Sequence, residues 1–104
     1  MSDEAPQAGT GVPAGAISKD LLIINKRGLH ARASAKFVQA VERFSAQVWV
    51  TRGGETVGGT SIMGLMMLAA GTGTTITVQA TGNQAAEVMD ALTKLVTGRF
   101  AEEE

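Results

Sequence analysis

Apolar side chains recur along this chain at two alternating spacings, every second residue and every third or fourth, and this alternation narrows the fold more than any other feature. Val48 and Val50 fall on one side of a segment, with Trp49 and Thr51 on the other; Ile76, Val78 and Ala80 alternate in the same way with threonines and Gln79. Period two marks a strand with one buried face. Ser34, Phe37, Val41 and Phe44, and later Ala85, Val88, Met89, Leu92, Leu95 and Val96, keep the helical spacing instead. These patterns predict strands over 21–24, 47–52, 55–57 and 74–80, and helices over 31–43 and 84–97. Gly53-Gly54 suits a two-residue hairpin turn, because both residues can take positive φ. Thr60 and Ser61 can cap a third, short helix over 62–68.

The order β-α-β-β-α-β-α is that of an α+β domain, a four-stranded antiparallel sheet with three helices on one face. The other face would stay open and carry Leu22, Ile24 and Trp49, an apolar surface and the place to look for self-association. Residues 1–18 hold both prolines and hardly a large apolar side chain, so they are expected to form a flexible tail ahead of a domain over 19–104. No apolar run reaches the roughly 20 residues that span a bilayer, and the start lacks the pattern of a secretory or transit peptide. With no cysteine in 104 residues, disulfides, thiol catalysis and Cys-based zinc sites are excluded, and the single histidine excludes a multi-His metal cluster. The expectation is a soluble, cytoplasmic monomer without metal or cofactor.

Charge is unevenly spread. Residues 26–52 carry six basic side chains (Lys26, Arg27, Arg32, Lys36, Arg43, Arg52) against Glu42, while residues 53–104 carry two against six acids. The overall net charge of −1 and an aromatic content of 4% argue against nucleic acid as the partner, although the basic stretch keeps a small nucleic-acid-binding domain as a third reading.

The only histidine, His30, lies in the basic segment at the start of the first helix. A helix start offers unpaired N–H groups and the positive end of the dipole, which together favour an anion. Arg32 adds a fork of donors suited to phosphate oxygens. The same surroundings disfavour imidazolium, leaving a neutral ring that can act as a nucleophile and a product phosphate that meets the same donors. On spacing alone, a plain helix cap or a solvated ring explains His30 as well.

The string Asn25-Lys26-Arg27-Gly28-Leu29-His30-Ala31-Arg32-Ala33-Ser34-Ala35-Lys36-Phe37 resembles the active-site segment of HPr, the phosphocarrier of the bacterial phosphotransferase system. Gly59-Thr60-Ser61-Ile62-Met63-Gly64-Leu65-Met66-Met67-Leu68 resembles that family's regulatory-serine helix, and the likeness runs from about Lys19 to Phe100. It implies the HPr-like open-faced β-sandwich. It also implies that His30 accepts a phosphoryl group on Nδ1 from an Enzyme I-type protein charged by phosphoenolpyruvate, and donates it to an Enzyme IIA-type acceptor. Arg32 matches the phosphate-contacting arginine, and Ser61 the serine modified by HPr kinase/phosphorylase in some bacteria. Ala33 replaces the family's common proline; it keeps good helix propensity and looks more like the nitrogen-related, regulatory branch than the sugar-transport branch.

Ser61 is also a simple N-cap by residue type. The short helix after it has more large apolar residues than it can bury: Leu65 and Leu68 are expected in the core. Ile62, Met63 and Met66 are assigned, through the resemblance, to an adaptable docking patch beside the histidine. The glycines at 53–54 and 71–73 lack the context of a nucleotide-binding loop and read as turns. The leading reading is a phosphoryl carrier; the alternative is a regulatory phosphoprotein of signal transduction that controls targets by binding.

Overall fold

The computed structural model describes residues 12–102. Its elements are β1 (Ile17–Leu22), α1 (Ala31–Glu42), β2 (Gln47–Arg52), β3 (Glu55–Gly58), α2 (Ile62–Met67), β4 (Thr75–Thr81) and α3 (Ala85–Thr97), followed by a short turn at Arg99–Ala101. The sheet is antiparallel in the order β1-β4-β2-β3, so β4, the last strand in sequence, lies between β1 and β2. Each expected strand and helix exists, with ends displaced by a residue or two except at β1.

β1 differs because its pairing is polar. Ile17 to Leu22 pair with Ala80 to Thr75, and Ser18, Lys19 and Asp20 of that ladder face solvent. An edge strand is tolerant of such residues, and charge on it discourages pairing with another chain. Hydrophobic periodicity therefore finds only its end. Ile23 continues the pairing by backbone bonds to the loop, donating to Thr74 O at 2.8 Å and accepting from Gly73 N at 2.8 Å. The sheet thus opens two residues before the expected boundary at 19, and Val12, within the expected tail, is buried. The rest of that tail, residues 1–11, lies outside the described residues.

One sheet face is the core floor. Leu21, Val48, Val50, Ile76, Val78 and Ala80 point into it and meet Phe37 and Val41 of α1, Leu65 of α2 and Val88, Leu92 and Val96 of α3. Alternation supplies the sheet side and the helical stripe the other, each burying the apolar area the other needs. The opposite face is open as expected: Leu22 is 52% exposed, and Ile24 and Trp49 are half-buried. No helix among the described residues is long and apolar enough to cross a membrane.

Two features shape the rim where β1 passes to α1. Gly28 has φ +65°, and a Cβ there would stand 2.2 Å from Ala70 O, so the chain closes against the α2–β4 connection only with glycine. Beyond α3, Arg99, Phe100 and Ala101 have φ of 59°, 54° and 61°, a left-handed turn of non-glycine residues. Such a turn is unfavourable by roughly 1–2 kcal/mol per residue. Complete burial of Phe100 and a bond from Lys36 Nζ to Phe100 O at 2.6 Å hold it.

Candidate functional site

His30 is the N-cap of α1. Its backbone is extended (φ −72°, ψ 179°), and its C=O accepts from Ser34 N at 2.8 Å. The imidazole Nδ1 accepts from the Arg32 N–H at 3.3 Å. The cap reading and the site reading of His30 therefore coincide: the atom that caps the helix faces the positive end of its dipole. The side chain is 22% exposed, and the ring borders a shallow cavity of about 220 Å³ lined by Arg27, Leu29, Ala69, Ala70 and Gly71. Leu29 N–H donates to Ala70 O at 2.9 Å and Ser34 Oγ donates to Leu29 O at 3.1 Å, which pins the loop just before the ring.

The far side of the ring carries a residue that the sequence does not flag. Nε2 hydrogen-bonds Glu102 Oε2. The other carboxylate oxygen, Oε1, accepts from the buried Asn25 Nδ2 at 3.0 Å, and the same Nδ2 donates to Gly28 O at 2.9 Å. Two acceptors fix which end of the Asn25 amide is nitrogen; its Oδ1 is buried without a partner among the described residues. Burial pushes the Glu102 carboxyl up, but the hydrogen bonds from Asn25 and His30, with the attraction of His30 and Lys36, outweigh it and hold the carboxyl below the ordinary glutamate value. A carboxylate accepts only, so Nε2 carries the hydrogen and Nδ1 the lone pair. The signals for Glu102 were indirect. Phe100 is a solitary large apolar residue past the last helix, and the terminal acids complement the basic stretch that contains His30.

Arg32 is exposed in the first turn of α1, and Ala33 sits buried in the same turn without disturbing the helix. Ser61 caps α2: its Oγ accepts from Gly64 N at 3.0 Å while the residue stays exposed. Leu65 and Leu68 are buried, whereas Met63 is 68% exposed and Ile62, Met66 and Met67 are also open. Gly64 admits a close approach, and what approaches is β3: a Cβ there would meet Val57 Cβ at 3.0 Å and Ser61 Oγ at 2.9 Å. The chain leaving α2, Ala69 and Ala70, forms one wall of the cavity beside His30, and α2 packs against α1, the helix that His30 caps. No group of three or more His, Asp or Glu side chains suited to a metal occurs among the described residues.

An α+β domain that displays one imidazole at a helix start, beside an exposed apolar helix, has the build of a group carrier that presents its nucleophile to other proteins. Comparison with known proteins agrees. The family model described as "PTS HPr component phosphorylation site" matches residues 17–98. Phosphocarrier protein HPr of Neisseria meningitidis serogroup A is 52% identical over 88 residues, 85% of this chain and 99% of that protein. The same-named protein of Cupriavidus necator is 51% identical over 88 residues, with the same coverage. The crystal structure of HPr-C-His from Thermoanaerobacter tengcongensis superposes with a TM-score of 0.81 at 39% identity, covering 85% of this chain and 99% of that one. The chain therefore belongs to the HPr family, the phosphocarriers of the phosphotransferase system, and has that family's α+β fold.

Proposed function

We propose that the protein carries a phosphoryl group on His30 Nδ1, taken from a phosphoenolpyruvate-charged Enzyme I and given to an Enzyme IIA-type protein. The single observation that carries the assignment to Nδ1 is the ring's position as N-cap of α1, with Nδ1 toward the Arg32 N–H. The Nδ1 lone pair attacks phosphorus as the bond to the donor breaks, and the donor atom keeps that electron pair. The product phosphate, with roughly two negative charges, lies at the start of a helix, where N–H groups and the dipole favour an anion. Arg32 supplies guanidinium donors from the exposed first turn. Onward transfer reverses the step: the Nδ1–P bond breaks and its pair returns to the ring.

Ile62, Met63 and Met66 form the docking patch, their exposure and flexible side chains suiting successive partners. Ser61 is the regulatory position, modified by an HPr kinase/phosphorylase; its hydroxyl is exposed, and a phosphate there would stand at the start of α2 and add negative charge beside the docking patch. The protein works in the cytoplasm as a monomer. A mainly regulatory output, through binding of targets in a nitrogen-type system, is favoured by one feature, Ala33 in the first turn.

The test is incubation with phosphoenolpyruvate and an Enzyme I. The expected product is an acid-labile, base-stable adduct that His30→Ala abolishes; an adduct that survives in His30→Ala refutes the assignment. Arg32→Ala should keep the fold and slow transfer, and Ser61→Asp should weaken docking to Enzyme I.

A further inference from the structure

We propose that Glu102 is a positioning residue for phosphoryl transfer, its carboxylate holding the Nε2–H of His30 so that Nδ1 is presented with its lone pair toward the helix start. The proposal rests on the reading of His30 as the acceptor and names the group that aims it. The two ring nitrogens have partners of opposite kind. Nδ1 faces a donor, the Arg32 N–H, and must accept; Nε2 faces a carboxylate oxygen and must donate. Those partners are compatible with one neutral tautomer and one orientation of the ring.

Glu102 is itself held in place. Its second oxygen accepts from Asn25 Nδ2, the carboxylate side chain is only 15% exposed, and the chain two residues earlier is anchored by buried Phe100 and its bond from Lys36. The left-handed turn at Arg99–Ala101 brings the carboxylate back over the rim instead of letting α3 continue outward. A strained turn of this kind persists only where the surroundings over-determine it. Here those surroundings deliver one acidic group to one imidazole 72 residues away in sequence.

The arrangement matters most once phosphorus is bound. When the Nδ1 pair forms the N–P bond, the ring becomes a cation with its hydrogen on Nε2, and the Glu102 carboxylate faces that charge directly. No proton needs to move: Nε2–H stays on the ring, and the donor leaves with the electron pair of the broken bond. On onward transfer the pair returns to Nδ1 and the ring is neutral again. A fixed carboxylate behind a histidine is a recurrent way of setting ring orientation and steadying imidazolium.

The experiment uses the full chain with Glu102→Ala and Glu102→Gln. Proton–nitrogen spectra of the unphosphorylated proteins report the His30 Nε2–H, and the initial rate of phosphorylation by Enzyme I and phosphoenolpyruvate reports transfer. Wild type should show an Nε2–H resonance protected from exchange with water. Glu102→Ala should lose it and be phosphorylated about tenfold more slowly, the scale expected when a ring-orienting partner is removed. Glu102→Gln, whose amide oxygen still accepts, should restore the resonance and part of the rate. Equal rates in wild type and Glu102→Ala, or no protected Nε2–H in wild type, would overturn the proposal. A wild-type protein that acquires no phosphoryl group on His30 would instead overturn the carrier assignment itself, while the Nε2–H signal would still report on the Glu102 contact.

Discussion

Gly28→Ala is the substitution for which the structure forecasts the largest effect from the smallest change. Gly28 has φ +65°, and an added Cβ would lie 2.2 Å from Ala70 O and 2.7 Å from Gly71 Cα, both backbone atoms with no rotamer to yield. Left-handed backbone costs an alanine roughly 1–2 kcal/mol, and forcing volume into a packed contact adds roughly 1–3 kcal/mol. Separating the two segments also threatens the Leu29 N–H to Ala70 O bond, at 2.9 Å, worth roughly 0.5–1.5 kcal/mol. The sum, about 2.5–6.5 kcal/mol, is a large part of the roughly 5–15 kcal/mol that holds a domain of this kind together. Urea unfolding followed by the single, half-buried Trp49 measures it. With a slope of roughly 1–2 kcal/mol per molar urea, the midpoint should fall by more than about 1 M. Gly53→Ala is the internal control: φ is +59°, yet nothing lies within 4 Å of the added Cβ, so only the backbone cost of roughly 1–2 kcal/mol should appear. The same variant tests the site, because the pinned loop it disturbs places His30 two residues later. A Gly28→Ala protein as stable as Gly53→Ala would refute the claim that contact with Ala70 sets this part of the rim.

Three further outcomes follow from the same structure. Glu102 has a lowered carboxyl pKa, so the stability it contributes is fully present above its unfolded value of about 4.5 and is lost as pH falls through that value towards the lower folded one. Thermal unfolding below about pH 5 should therefore fall off less steeply in Glu102→Gln than in wild type, and parallel curves would contradict the assigned partners. Phe100→Ala should cost about 3–5 kcal/mol in urea unfolding, since the ring is wholly buried; a loss under about 1 kcal/mol would show that the C-terminal turn is not anchored there. Ser61→Ala should cost about 1 kcal/mol by leaving the Gly64 N–H uncapped, whereas Ser61→Asp keeps a capping oxygen and should unfold like wild type. Equal losses in the two variants would mean that the cap does not stabilise α2.

Much of the site was legible because its parts are local. His30 at a helix start, Arg32 one turn-step on, and the Ser61 cap each depend on a few neighbouring residues, and capping chemistry is written in residue type. The apolar excess of residues 62–68 likewise announced a helix with more hydrophobic surface than it could bury, and Met63 and Met67 are the outcome. β1 was half hidden because an edge strand needs no apolar alternation to pair. Glu102 left only indirect signals: its role depends on a left-handed turn that ordinary propensities disfavour and on a contact spanning most of the chain.

The amino-acid sequence by itself determined, β1 apart, which segments are strands and helices, which face of each is apolar, and where a lone imidazole meets a helix start, since periodicity and capping act over one or two turns. Only the tertiary structure decided that β4 lies between β1 and β2, that Gly28 closes on Ala70, and that Glu102 rests on His30. Those pairings are non-local. They form when a shared core brings distant surfaces together, and the free energy that selects them belongs to the packed whole, with no single segment carrying its signature.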